Sequence, residues 1–221
     1  MPESMADTKT TLSDMKKMVD DFLIERDWYQ FHNPKTDSVG LVIEAGELLT
    51  PFLFAKPGMG GRDILACKKT EVGDELSDVF VWLFCIALVN KFSLTRLLCS
   101  AFPGSSFDED KTTLENLKKI VSREYRGYGT PERAVRAIVV AATAYFELFL
   151  KQSQDDLGYD VIENHRNASE HVYVQVFLAA LHFAIEADLD LSHVFQTKME
   201  KNREKYPVEK SKGTSLKYNE L

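Results

Sequence analysis

Apolar positions recur every three or four residues along most of this chain, the period of a helix with one buried face. A first helix is expected through "MKKMVDDFLIERDWYQF", with Ser13 or Asp14 at its N-cap. "NPKTDS" reads as a break, and a second helix covers about residues 38 to 50. Pro51 and then "KPGMGG" mark a loop. A long helix runs from Asp63 or Leu65 to Asn90, and "SLTRLLCSAF" makes a short one. Beyond the linker-like "PGSSFDEDKTT", helices resume at about 113–126, 131–153, 168–188 and 191–205. Residues 208–221 form a polar tail that reads as loosely ordered. Strand-like alternation is scarce, so the fold class is all-α.

The two sides of the linker resemble each other. "LSDMKKMV" (12–19) matches "LENLKKIV" (114–121), and "GELLTPFL" (46–53) aligns loosely with "FELFLKQS" (146–153). "SDVFVWLFCIALVNKFSL" (77–94) aligns with "VQVFLAALHFAIEADLDL" (174–191). The order of the three segments is kept. The expectation is two tandem four-helix units, over residues 1–102 and 113–207, joined by a linker at 103–112 and forming a covalent pseudo-dimer.

Composition narrows the possible functions. Hydrophobic residues make up 44% of 221, enough for a folded core. The net charge is −7, from 27 basic and 34 acidic residues, so no basic surface is offered to a nucleic acid. The three cysteines, Cys67, Cys85 and Cys99, contain no Cys-x-x-Cys pair and point to reduced thiols. The polar start "MPESMADTKT" is unlike a signal peptide. The run "VFVWLFCIALV" (79–89) is too short to cross a bilayer. The expectation is a cytoplasmic protein with no nucleic-acid or membrane partner.

Four acids break the apolar pattern. Residues three apart share a helix face, so Glu44 points with Glu47 in "IEAGELL", and Glu75 with Asp78 in "DELSDVF". If the two helices pack side by side, four carboxylates meet in a partly dry space. Hard divalent cations with oxygen ligands relieve the resulting repulsion, and magnesium also binds phosphates. The plainer reading is two solvated helix faces, since Glu is a good helix former.

These motifs carry a resemblance. Glu44-Ala-Gly-Glu47, a spacer, then Glu75-Leu-Ser-Asp78 resembles the signature of the MazG-like all-α nucleotide pyrophosphatases. "ERDWYQFHNP" (25–34), "KMEKNREKYP" (198–207) and "GTSLKYNEL" (213–221) are similar to segments of its dCTP pyrophosphatase branch. The resemblance implies that Glu44, Glu47, Glu75 and Asp78 hold magnesium, with Glu47 or Glu44 in a catalytic role. It implies that Trp28 faces the base with His32 close by. Phe54 stands where this branch usually has Trp, Trp82 where it has Tyr, and Val19 where it can have His. The stacking pocket therefore keeps aromatic walls of altered shape; taken alone, Phe54 reads as core filling. Lys198, Asn202, Lys205 and Tyr206 fall mostly on one helix side. Cations there either suit the helix dipole or meet phosphate oxygens, and the resemblance favours a place beside the site.

The second unit lacks the signature. By the offsets above Glu44 maps to Ala144, Glu47 to Glu147, Glu75 to Val172 and Asp78 to Gln175. Nearby Glu163, His165, Glu170 and His171 do not restore the spacing. One site per chain is expected, with the second unit a non-catalytic partner. Two chains would rebuild the four-unit assembly of the family. The implied function is magnesium-dependent cleavage of a nucleoside triphosphate, dCTP or a modified dCTP, to a monophosphate and pyrophosphate, in nucleotide-pool sanitation. The alternatives are an all-α dUTPase-like enzyme and a non-catalytic interaction module that keeps the fold.

Overall fold

The structure is a computed structural model that describes residues 4–53, 58–124, 127–153 and 155–220. Ten α-helices are described: α1 (Leu12–Glu25), α2 (Pro34–Leu53), α3 (Gly61–Asn90), α4 (Leu94–Ala101), α5 (Leu114–Glu124), α6 (Pro131–Glu147), α7 (Tyr159–Asn164), α8 (Arg166–Glu186), α9 (Leu191–Lys205) and α10 (Val208–Ser211). A short 3-10 helix covers Trp28–Phe31. Among the described residues the only β pairing is one isolated bridge, Thr11 to Thr113, so the expected all-α class holds.

Several helix ends differ from the expectation for local reasons. The N-cap of α1 is Thr11, not Ser13 or Asp14. Its hydroxyl accepts from Asp14 N at 3.2 Å, and the Asp14 carboxylate accepts from Thr11 N at 2.8 Å, closing a capping box. "NPKTDS" begins α2 rather than breaking the chain. Asn33 Oδ1 accepts from Thr36 N at 2.9 Å, and Pro34 takes the first helical position, where its missing N–H costs nothing. The tail from 208 on is not loose throughout: it forms α10, and Gly213 N donates to Arg26 O at 2.9 Å.

The core lies between the long helices. Phe80 of α3 meets Phe177 of α8 edge-on at 5.6 Å, and the Tyr173 hydroxyl of α8 donates to Leu83 O of α3 at 3.0 Å. By length and composition α8 could cross a membrane, yet 72% of its apolar window is buried here as core. α2 packs on α3, α6 on α8, and α2 on α6. The short helices cross over. α4 packs on α8, while α9 packs on α3 and α1. Contacts therefore run between the stretches on either side of 103–112, within which Phe107 is itself buried.

Contacts between the two sides come in matched pairs. Ser13 N donates to Glu109 O at 3.2 Å, and Glu115 N to Asp7 O at 2.9 Å. Lys16 is ion-paired with Glu109, and Lys118 with Asp7 at 2.8 Å. Each residue on one side stands 102 positions from its counterpart on the other, as Thr11 does from Thr113. The turns leading into α4 and α9 also correspond. Lys91 and Asp188 both take left-handed conformations, at φ 54° and 49°. Ser93 and Asp190 then cap the two helices.

Candidate functional site

α2 and α3 bring Glu44, Glu75 and Asp78 together. One carboxylate oxygen from each lies within 4.8 Å of the others. Glu47, expected in the same group, is not in it. It is solvent-exposed one turn along α2, where it still acts on Glu44 and Glu75 as a nearby negative charge.

The trio holds its protons unusually tightly. Burial, then the charges of Asp78 and Glu47, push the Glu44 carboxyl up to about 7. Burial raises Glu75 as well, against the pull of Lys198, and Asp78 is raised in the same way. Oxygen donors at this spacing, destabilised as free anions, suit a hard divalent cation.

α9 lies over the acids. It passes close to Gly73, where an added Cβ would come within 3.1 Å of Val194 Cγ1. One turn beyond Val194, the buried Lys198 is ion-paired with Asp78. Burial works against the lysine's charge, but Asp78 outweighs it and the Lys198 pKa is raised. Asn202 hydrogen-bonds Asp78. Lys201 binds both oxygens of Asp74, at 2.8 and 2.6 Å. Lys205 is exposed, 5.5 Å over the ring of Tyr218.

Aromatic residues flank the acids on two sides. Trp82 hydrogen-bonds Glu44 and lies against Gly40, where any side chain would overlap the indole. The His32 ring sits 5.5 Å from Trp82 at 43°, and its Nδ1 is 2.8 Å from Asp37 Oδ1. Trp28, expected to face the base, stands part-buried beside Tyr206. Phe22 and Tyr206 cover it edge-on at 5.5 and 5.1 Å, and its indole N–H donates to Ser211 O at 2.9 Å. Its neighbour Tyr206 has a hydroxyl that feels Asp78 and Glu44. Phe54 lies outside the described residues. Val19 is core.

At the positions matched to the acids, Ala144 and Gln175 are part-buried and Glu147 is exposed. Glu170 is buried in ion pairs with Arg166, at 3.2 Å, and with Arg96, which ties α4 to α8.

Some residues beside the site were missed in the sequence. Lys201 lies three residues after Lys198, and Asp74 four before Asp78, so both were legible in principle as neighbours on the same helix faces. The buried Arg26 donates from Nε to Tyr206 O at 2.8 Å and stacks 3.9 Å over Phe22, fixing the end of α9 to α1. No local pattern announced that role.

No family model and no solved structure matches the chain. It is similar to dCTP pyrophosphatase 1 of Rattus norvegicus, 34% identical over 91 residues, 41% of this chain and 54% of that protein. It is similar to dCTP pyrophosphatase 1 of Homo sapiens, 36% identical over 78 residues, 35% of this chain and 46% of that protein. Against dCTP pyrophosphatase 1 of Bos taurus the identity is 32% over 94 residues, 42% and 56% of the two chains. The chain spans about half the length of the curated relatives it matches. Over about two fifths of its length it is thus similar to the dCTP pyrophosphatase branch of the MazG-like proteins, as its acidic motifs led us to expect.

Proposed function

We propose that this protein is a magnesium-dependent nucleoside triphosphate pyrophosphohydrolase. Its substrate would be dCTP or a modified dCTP, and its products dCMP or the modified dCMP and pyrophosphate. The observation that carries the reading is the meeting of Glu44, Glu75 and Asp78 under a helix that brings Lys198 and Asn202. Similarity to proteins named dCTP pyrophosphatase 1 supports the substrate class.

Glu44, Glu75 and Asp78, joined by Glu47 from the next turn, would hold the metal. Magnesium bound there would supply charge neutralisation on the triphosphate and a more acidic water. Glu47 is the exposed carboxylate beside the trio and accepts the proton of the attacking water, with Glu44 the other candidate. Lys198 exchanges its ion pair with Asp78 for phosphate oxygens, Asn202 donates beside it, and Lys205 approaches from solvent. Trp82 and His32 offer the base an aromatic wall next to the acids. Two chains associate, matching the four helical units of the family assembly, and light scattering that gave a monomer alone would contradict this part.

The test is a panel of nucleoside triphosphates with magnesium, with pyrophosphate measured separately from phosphate. Pyrophosphate release, strongest with dCTP or a modified dCTP, is expected. Glu47→Gln should abolish it and Glu147→Gln should leave it nearly intact. Preference for dUTP would favour the dUTPase-like alternative, and silence across the panel a non-catalytic module. Loss of activity in Glu147→Gln alone would overturn the one-site reading.

A further inference from the structure

Asp37 is a carboxylate with no solvent exposure in the first turn of α2. Burying a carboxylate is costly, and such a group normally gathers several partners. Asp37 has few. Its Oδ1 meets His32 Nδ1 at 2.8 Å, while its Oδ2 has no hydrogen-bond partner. On the far side stands Tyr145 of α6, whose buried hydroxyl is also without a partner and feels the Asp37 charge. Helix α6 thus helps seal the carboxylate in, and His32 is its one side-chain partner by hydrogen bond. His32 in turn leans on Trp82, whose indole reaches Glu44 of the acid trio. Apart from a backbone hydrogen bond at Asn33, this buried carboxylate is turned to one imidazole next to the candidate site.

The orientation has chemical content. A carboxylate facing Nδ1 keeps a proton on that nitrogen, so a neutral ring presents a bare lone pair at Nε2. A bare Nε2 accepts from an N–H and has nothing to give to a carbonyl. We propose that Asp37 is a positioning residue that fixes the tautomer of His32, making Nε2 an acceptor that selects a nucleobase with an exocyclic amino group over one with a carbonyl there. Cytosine is the pyrimidine with that amino edge, so this inference rests on the nucleotide reading above and deepens it. A site built to pair with an N–H rejects the analogue that lacks it more strongly than an apolar pocket does.

Two measurements test the inference, on the full chain and on Asp37→Leu and Asp37→Asn. The first is nitrogen NMR of the His32 ring without nucleotide. The unaltered protein should show the proton on Nδ1. Asp37→Leu should move it to Nε2, and Asp37→Asn, which keeps an oxygen acceptor, should hold it on Nδ1. The second is the ratio of kcat/KM for dCTP over dUTP. It should fall about tenfold in Asp37→Leu, mainly through KM for dCTP, and largely recover in Asp37→Asn. Asp37→Leu leaves the His32 ring N–H without its acceptor and should lower the Tm, while Asp37→Asn should keep it near that of the unaltered protein; taking the nucleotide ratio below the Tm of each variant separates lost selection from lost folding. An unchanged tautomer in Asp37→Leu overturns the inference, and so does an unchanged nucleotide ratio. If the unaltered protein hydrolyses no nucleotide, the functional reading and the base selection fall together, while the tautomer still reports on the Asp37–His32 pair.

Discussion

At Glu44, burial and the neighbouring carboxylates push in one direction, and the consequence can be read in stability. Its pKa rises from 4.5, the ordinary value of a glutamate carboxyl in water, to about 7 in the folded chain. The folded state therefore holds this proton more tightly than the unfolded state does. The associated stability is complete below pH 4.5 and is lost as the pH climbs through about 7. Discounted for partial exposure, the effect is on the order of 2 kcal/mol. The upward shifts of Glu75 and Asp78 carry the same sign. Without divalent cations, the Tm is expected to fall between pH 5 and pH 8. Added magnesium should raise it more at pH 8 than at pH 5, and Glu44→Gln should flatten the pH dependence. A Tm that climbs with pH over this range would contradict the account. The pairing of Glu44 with Glu47, and of Glu75 with Asp78, was visible as three-residue spacing. That Glu47 stands apart from the trio was not, because spacing gives the face of a helix and not the depth of each position. Asp37 was equally hidden: an acid in a first helical turn looks like a favourable dipole contact until its burial is known.

For the helices, the apolar period located every long element, and the errors sit at ends where turn chemistry and cap chemistry use the same residues. "NPKTDS" has the composition of a turn, yet Asn33 and Pro34 there start α2. "TTLSD" holds four residues of capping type, and the choice fell on Thr11 because its hydroxyl accepts from Asp14 N while the Asp14 carboxylate accepts from Thr11 N. The choice can be tested by substitution. Thr11→Ala should cost about 1 kcal/mol and lower the Tm by a few degrees, while Ser13→Ala should change it little. Equal losses from the two variants in thermal unfolding would show that the cap is elsewhere. The α4 and α9 crossovers were not legible, since an amphipathic stripe does not name its partner. Gly73 lies where α9 comes close to α3, a detail that matters only once the partner is known.

For the whole molecule, the exchange of short helices makes the two sides interdependent. Asp7 accepts from Ser192 N at 2.8 Å at the start of α9 and also holds Lys118 of α5, so one N-terminal carboxylate links three distant stretches. Calorimetry is expected to show one cooperative transition. Chains cut within 103–112 and expressed as separate pieces should remain unfolded alone. Two resolved transitions, or a folded fragment 1–102, would contradict this coupling.

The place of α9 also sets an order of assembly during synthesis. Asp78 leaves the ribosome long before Lys198, which must be made and carried back across α3 to meet it. Until then the acid trio has no lysine above it, and folding is held to a late, long-range contact of the kind that slows it. A message truncated before α9 would thus yield a chain that carries every acid and no lysine to close over them.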